Sequence, residues 1–188
     1  MNRALYPGSF DPFTIGHLSI LKKALNVFDE IIIVFSQNPK KQRRFDTTYS
    51  IYCLLKYLES YNFYDGKVKV TWSPDFIPAK IAQDKNCNYI IRGLRNDIDY
   101  NYEEGLAKLN KEVCPDIETI YFRADNDTIS STMVYSLYKS GIPIDKYLPY
   151  DSSLLMEYND NIIERTLTQD KEVLEYVSNY NTNTWGLV

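Results

Sequence analysis

The stretch YPGSFDPFTIGH, residues 6–17, decides the fold and ends on the single histidine of the 188-residue chain. Residues 3–6 favour a strand, and the leucines that follow the stretch recur at helical spacing. Pro7 and Gly8 permit a sharp turn after the strand. The stretch therefore predicts a strand, a turn and a helix in immediate succession.

His17 stands at the start of that predicted helix. In open α/β sheets, ligands bind beyond the carboxyl ends of the strands. Gly16 lets the backbone approach a ligand closely, and the helix directs its first N–H groups and the positive end of its dipole at the same place. A lone histidine is more often a capping or core residue. Here the glycine before it and the helix after it favour an anion site, where the imidazole can donate a hydrogen bond to a phosphate.

Strand and helix patterns alternate five times along the chain. The predicted strands are residues 3–6, 30–35, 68–72, 89–92 and 119–122. The predicted helices begin after the histidine and then cover residues 47–61, 77–83, 99–112 and 130–139. This alternation favours an α/β fold with a parallel sheet and helices on both faces.

Composition and charge exclude several classes of protein. The net charge of −4 argues against nucleic-acid binding, which needs a basic surface. The aliphatic run 31–34 is too short to span a bilayer, and the first residues lack the apolar core of a signal peptide, so we expect no membrane partner. Three cysteines without metal or disulfide spacing favour a reducing cytoplasm.

A second motif, IIRGLRNDIDYNYE, follows the fourth predicted strand. Arg92 and Arg95 bracket Gly93, and two guanidiniums at a strand end suit phosphates because each offers a rigid fork of donors. Asp99 and Glu103 open the next helix. Acids in a first helical turn either balance the helix dipole or contact a ligand, and the sequence leaves both interpretations open.

Two further segments follow predicted strands. SQNPKKQRRF, residues 36–45, carries four cations, of which Lys40 and Arg43 are expected to be solvated while one lysine could reach the cleft. TISST, residues 128–132, opens a helix, where its hydroxyls either cap the helix or join its N–H groups in holding a phosphate. All these segments lie at the same ends of parallel strands, which makes one shared ligand site the simplest interpretation.

Residues 3–158 resemble the bacterial phosphopantetheine adenylyltransferases. The resemblance is carried by YPGSFDPFTIGH, NPKKQRRF, IRGLRNDIDYNYE, ISST and the YLP of residues 147–149. It implies a nucleotidyltransferase fold, similar to dinucleotide-binding domains, with a five-stranded parallel sheet in the order 3-2-1-4-5. Residues 1–158 would form the adenylyltransferase domain, and residues 159–188 a C-terminal extension that is expected to be helical, with a loosely ordered end from residue 179 onward.

The resemblance implies transfer of the adenylyl group of ATP to 4′-phosphopantetheine, with Mg²⁺ accompanying the triphosphate and no protein side chain binding the metal. It implies catalytic roles for His17, Lys41 and Arg95. The residues implied for 4′-phosphopantetheine are Ser9, Lys41, Ile77 and Arg92. The residues implied for ATP are Ser9, Phe10, His17, Gly93, Leu94, Arg95, Glu103, Asn126, Asp127, Thr128, Ile129, Ser130, Ser131 and Thr132. A homohexamer in the cytoplasm is implied as well.

The chain departs from the family pattern in a few places. Ser9 stands where threonine is commoner, Ile15 replaces an asparagine, and Asn126 stands where an aromatic residue is common. Two alternatives stay open: a related nucleotidyltransferase with another phosphate acceptor, and a nucleotide-binding regulator without catalysis. The RGLR block disfavours the first, and the presence of His17, Lys41 and both arginines disfavours the second. A fragment of a class I aminoacyl-tRNA synthetase ranks last, because the chain is short and acidic.

Overall fold

The sheet has five parallel strands in the order β3-β2-β1-β4-β5, as the resemblance implied. The computed structural model describes residues 1–36, 42–61, 64, 66–95, 97–160 and 167–185. The strands are β1 (Arg3–Gly8), β2 (Glu30–Ser36), β3 (Val68–Ser73), β4 (Tyr89–Leu94) and β5 (Glu118–Arg123). Each strand contains the range predicted for it, so the pattern of apolar residues predicted the positions of all five strands.

Helices follow each strand. They are α1 (Ile15–Ala24), α2 (Thr47–Glu59), α3 (Pro78–Asp84), α4 (Asp97–Val113), α5 (Ser131–Lys139), α6 (Ser152–Asp160) and α7 (Leu167–Trp185). Within the described part of the chain, none of them is long and apolar enough to cross a membrane.

The central strand β2 is buried on both faces, and its side chains alternate between two hydrophobic cores. Ile31, Ile33 and Phe35 join the larger core, to which α1 and α2 contribute. Ile32 and Val34 join the smaller core, which includes side chains of α3. The predicted arrangement of helices on both faces of the sheet is therefore confirmed.

The turn predicted at Pro7 and Gly8 lies later in the chain. β1 continues through Gly8, which is in register with Phe35 of β2. The chain turns at Phe10 to Pro12, where Phe10 has a φ of 44°. A Cβ atom on Gly8 would lie 2.8 Å from the Phe10 ring, so the glycine leaves room for the ring to fold back beneath the end of the strand.

The end of the chain is more regular than predicted, because α7 extends to Trp185. Val173 and Val177 are buried, the Tyr176 ring lies 5.2 Å from that of Tyr52 on α2, and the Tyr180 hydroxyl donates to the Val68 carbonyl at 3.3 Å. Burial of one face stabilises a helix whose asparagines and threonines have poor helix propensity. Residues 161–166 and 186–188 lie outside the described residues.

Candidate active site

A cavity of about 250 Å³ lies at the carboxyl ends of β1 and β4. It is lined by Tyr6, Pro7, Gly8, Ser9, Phe10, Thr14, Gly16, His17, Ile20, Ile91, Arg92, Gly93, Arg95, Glu103, Ala124, Ile129, Ser130, Ser131 and Thr132. The first motif, the arginine motif and the TISST segment all contribute to this lining. The segments that were expected to share a ligand site thus surround one cavity.

The strand pairing explains why the cavity forms there. β1 pairs with β2 along its whole length, from Arg3 to Gly8. It pairs with β4 only at Ala4 and Leu5. Beyond Leu5 the two strands separate, at the point where the strand order reverses, and open α/β sheets bind ligands at this point.

His17 lies in the first turn of α1 and is partly buried in the cavity wall. Its Nδ1 accepts a hydrogen bond from the Thr14 backbone N–H at 3.0 Å. Because that donor is a backbone amide, Nδ1 carries no proton, and in the neutral ring the proton is on Nε2. The capping role and the ligand role considered for this residue are therefore compatible, since Nδ1 caps the helix and Nε2 is left as a donor.

The surroundings of His17 keep its ring uncharged. Burial, together with the positive charge of Arg95, lowers the pKa of His17 from 6.5 to about 4. The rings of Phe10 and Phe13 lie 5.1 and 5.3 Å from the imidazole and form its apolar surroundings. The site thus offers an anion a neutral N–H group in a fixed position.

Arg92 on β4 forms a two-point ion pair with Glu103 on α4. Its Nε and Nη2 donate to the two carboxylate oxygens at 2.5 and 2.7 Å, and its Nη1 donates to the Pro7 carbonyl at 3.1 Å. Burial opposes the charge of Arg92, but the hydrogen bonds and charge of Glu103 outweigh it, so the pKa of Arg92 is raised and the guanidinium stays charged. The pair joins β4, α4 and the end of β1 across the floor of the cavity.

Arg95 follows β4 and extends along the cavity wall. Its Nε donates at 3.0 Å to Asp99 in the first turn of α4, and 38% of its side chain is exposed. Between the two arginines, a Cβ atom on Gly93 would come within 3.2 Å of the Ile20 side chain. The glycine therefore lets β4 pack closely against α1.

The TISST segment is tied to the first motif. Ser130 caps α5 by accepting a hydrogen bond from the Met133 N–H at 3.1 Å. The Ser131 hydroxyl donates to the Pro12 carbonyl at 2.9 Å. The N-termini of α1 and α5 thus border the same cavity, and their dipoles favour a negatively charged ligand there.

Two side chains that sequence reasoning did not place at the site, those of Asp11 and Arg43, hold the loop before α2 against the first motif. The Asp11 carboxylate accepts from the backbone N–H groups of Arg44 and Phe45, both at 2.9 Å. Arg43 donates from Nη1 to the Ser9 carbonyl at 3.0 Å and is partly buried. The prediction of a solvated Arg43 is therefore wrong, because the residue spans two loops that the sequence separates by more than thirty positions.

Comparison with known proteins identifies the family. A model of the cytidylyltransferase-like family matches residues 5–136. The phosphopantetheine adenylyltransferase of Leptospira biflexa is 35% identical over 148 residues, which cover 78% of this chain and 89% of that protein. That of Phocaeicola vulgatus is 36% identical over 151 residues, which cover 79% and 96%. This chain belongs to the phosphopantetheine adenylyltransferase family.

Solved structures of related adenylyltransferases share the fold. The bifunctional NMN adenylyltransferase/ADP ribose pyrophosphatase of Francisella tularensis, complexed with AMP and a manganese ion, has a TM-score of 0.62 at 15% identity, and the match covers 98% of this chain and 55% of that one. Plasmodium falciparum nicotinic acid mononucleotide adenylyltransferase has a TM-score of 0.57 at 17% identity, with coverage of 88% and 98%. At these identities the likeness concerns the fold alone.

The cavity lining includes most of the residues that the family resemblance implied, but not all of them. Leu94, Asn126, Asp127 and Thr128 are outside the lining, and the Asn126 side chain accepts from the Thr128 N–H at 3.0 Å in an exposed turn. Ile77 precedes α3 and packs against the smaller core rather than lining the cavity. Lys40 and Lys41 lie outside the described residues.

Proposed function

We propose that this protein transfers the adenylyl group of ATP to 4′-phosphopantetheine, giving dephospho-coenzyme A and pyrophosphate. One observation supports it most strongly. The His17 Nε2–H, the Arg95 guanidinium and the N-termini of two helices converge on one cavity, in a member of this family. This set of groups suits a chain of phosphates and contains no side chain arranged as a covalent nucleophile.

The chemistry requires positioning more than proton transfer. The phosphate of 4′-phosphopantetheine is already an anion at neutral pH, so its oxygen can attack the α-phosphorus of ATP without a general base. The new P–O bond forms in line with the bond to the β-phosphate, which breaks and leaves its electron pair on pyrophosphate. Holding the two substrates in that line can supply roughly 7–11 kcal/mol of the barrier.

His17 serves this reaction as a neutral hydrogen-bond donor. Its pKa of about 4 leaves the ring uncharged at pH 7, and its Nδ1 is occupied by Thr14. The Nε2–H is then available to an oxygen of the α-phosphate, where negative charge increases as the bonds exchange. A donor fixed in this way needs no reorganisation during the reaction.

The arginines provide permanent charge on the opposite wall. Arg95 is partly exposed to the cavity and suits the phosphates of ATP, whereas Arg92 is fixed by Glu103 and Pro7. The second hydrogens of the Arg92 Nη1 and Nη2 atoms remain for the phosphate of 4′-phosphopantetheine. Roles for Ser9, Lys41 and Ile77 in binding that substrate remain predictions.

We expect Mg²⁺ to arrive with ATP and to neutralise part of the triphosphate charge. In the described ranges, no group of three or more His, Cys, Asp or Glu side chains could hold a metal ion. The Glu103 carboxylate in the cavity lining is already bound by Arg92. A cation bound by phosphate oxygens and water, without a protein ligand, remains a prediction.

Assembly into a homohexamer in the cytoplasm remains a prediction from the resemblance. The exposed apolar side chains of Tyr102, Leu109 and Val113 on α4 support the formation of an oligomer, because such a row favours burial against another chain. Light scattering after size-exclusion chromatography measures the mass of the particle directly.

Pyrophosphate release with different acceptors tests the proposed reaction. The purified protein is incubated with ATP, Mg²⁺ and either 4′-phosphopantetheine or nicotinamide mononucleotide. The second acceptor is the one for which the Francisella tularensis NMN adenylyltransferase is named. We expect pyrophosphate and dephospho-coenzyme A with the first acceptor and background release with the second. Product from nicotinamide mononucleotide alone would favour the related nucleotidyltransferase, and no product from either would favour a non-catalytic regulator.

A further inference from the structure

Arg44 lies beside the first turns of α5, at the rim of the cavity. Its Nη2 donates to the Thr132 hydroxyl at 3.1 Å, and its guanidinium carbon lies 5.0 Å from the centre of the Tyr135 ring. Thr132 itself lines the cavity. The positive charge of Arg44 is therefore held next to the N-terminus of a helix that borders the nucleotide site.

The backbone at Arg44 is fixed as well. The buried Asp11 carboxylate accepts from its N–H at 2.9 Å, and the next residue, Phe45, is buried with its ring 5.8 Å from that of Tyr135. The hydrogen bonds of Asp11 connect this position to the first motif. Arg44 is thus held at both its backbone and its guanidinium, which limits the loss of side-chain entropy when it binds a ligand.

Arg44 differs from the two arginines of the opposite wall in its partners. Arg92 and Arg95 each form an ion pair with a carboxylate. In the part of the chain that the structure describes, no carboxylate forms an ion pair with Arg44, and its Nε and Nη1 make no hydrogen bond. A guanidinium and the positive end of a helix dipole repel each other unless an anion lies between them.

We propose that Arg44 binds the β- or γ-phosphate of ATP, the part of the nucleotide that leaves as pyrophosphate. The α-phosphate must lie near His17, where the two substrates meet. Arg44 is outside the cavity lining and so reaches a part of the ligand that extends past Thr132. The diphosphate is the part of ATP with enough charge to bind both a guanidinium and a helix N-terminus. When the bond to the α-phosphorus breaks, the pyrophosphate retains the electron pair, and Arg44 stabilises that added charge.

Calorimetric binding of ATP and AMP to variants tests this inference. The two ligands share the adenosine and the α-phosphate, so a contact to the outer phosphates affects ATP alone. We expect Arg44→Met to weaken ATP binding about 10- to 100-fold, the range for a charged hydrogen bond, and to change AMP binding less than about twofold. Arg44→Lys keeps the charge but loses the fork, so an intermediate affinity for ATP is expected.

Lys139→Met is the matched control. It removes one positive charge from the opposite end of α5, where the side chain is exposed, and should leave both affinities unchanged. Melting temperatures confirm that each variant folds. If Arg44→Met does not fold, Arg44→Lys provides the test by itself. A lower ratio of ATP affinity to AMP affinity than in the wild type would support the inference, and an unchanged ratio would contradict it.

Two results would overturn the inference. Equal weakening of ATP and AMP would show that Arg44 only holds the loop against α5, and unchanged ATP binding would show that it touches no phosphate. The inference rests on one part of the proposed function, the binding of ATP. Because the binding measurements contain no acceptor, they remain decisive for Arg44 even if 4′-phosphopantetheine proves to be the wrong acceptor.

Discussion

The α1 wall of the cavity presents one imidazole, whereas the wall formed by β4 and α4 presents two guanidiniums. His17 is neutral, because burial and Arg95 lower its pKa to about 4. Arg92 is charged, and its pKa is raised by the hydrogen bonds and charge of Glu103. The α1 wall therefore offers a ligand one neutral, well-oriented N–H donor. The wall of β4 and α4 offers two permanent positive charges, each held in place by a carboxylate.

The difference shows two ways of preparing a site for phosphate. A neutral donor adds no charge that must be balanced before the ligand arrives, but it depends on the correct tautomer and on burial. A guanidinium attracts the ligand over a longer range, but it needs Glu103 or Asp99 to fix its position. Variants of the two walls should therefore fail in different ways, His17 in the rate and Arg92 first in stability.

The largest effect is expected from His17→Ala. Loss of one preorganised donor should lower kcat about 100- to 1000-fold. Loss of the Nδ1 cap should lower the free energy of unfolding by about 1 kcal/mol, so the variant should still fold. His17→Gln, whose amide can place an N–H group near the position of Nε2, should retain more activity than alanine. Steady-state rates of pyrophosphate release measure the loss. Unchanged turnover in the alanine variant would remove His17 from the reaction.

Arg92→Met should destabilise the fold before any catalytic effect is considered. It leaves the Glu103 carboxylate, whose side chain is 12% exposed, without its partner, at a cost of about 3 kcal/mol in the free energy of unfolding. The double variant Arg92→Met/Glu103→Met removes both charges and should recover most of that loss. Urea unfolding of the single and double variants measures the coupling, and equal losses in both would argue against an interaction between the two residues.

The low pKa of His17 makes the stability of the fold depend on pH. The unfolded chain takes up a proton near pH 6.5, while the folded protein resists protonation down to about pH 4. The free energy of unfolding is therefore unaffected by this titration above pH 6.5, and it decreases as the pH falls toward 4, because the unfolded chain binds the proton more tightly. One pKa unit corresponds to about 1.4 kcal/mol, so the loss is about 3 kcal/mol at most, since part of the ring faces the cavity.

Comparison with His17→Gln isolates this contribution. Between pH 7 and pH 4, the unfolding free energy of the wild type should fall relative to that of the variant, whose side chain does not titrate. A constant difference over that range would contradict the lowered pKa.

The smallest effect on the fold is expected from Gly16→Ala. A Cβ atom there would lie 3.5 Å from the Thr14 hydroxyl and 3.6 Å from the Ile129 carbonyl, which are ordinary contacts, so stability should be kept. If the glycine serves close approach of a ligand, kcat/KM for ATP should fall about tenfold, an effect of about 1.4 kcal/mol. Gly8→Ala is the contrasting variant, because its Cβ would meet the Phe10 ring at 2.8 Å and destabilise the fold by about 1–3 kcal/mol. Wild-type activity in Gly16→Ala would show that its lack of a side chain does not matter to the ligand.

The sheet and the position of the cavity were predictable from the sequence, for a physical reason. Apolar periodicity locates strands and helices, and parallel strands place the segments that follow them at one edge of the sheet. The separation of β1 from β4 after Leu5 follows from the strand order that the family resemblance implied.

The contacts between motifs could not be predicted in the same way. Arg92 and Glu103 lie on different elements, and a local pattern cannot show that a helix turns its acid toward a particular strand. Arg43 was expected to be solvated and Arg44 was given no role, because their partners Ser9, Asp11 and Thr132 are distant in sequence. The regular end of α7 was also missed, since packing against α2 stabilises residues that disfavour helices.

Nitrogen NMR of the single histidine in tag-free protein tests the central claim most directly. With one imidazole in the chain, the ¹⁵N signals need no assignment and report both the tautomer and the titration. The structure predicts a proton on Nε2, an unprotonated Nδ1 and a pKa of about 4. A proton on Nδ1 at pH 7, or a pKa at or above the ordinary 6.5, would contradict the account of His17 as a neutral donor aimed into the cavity.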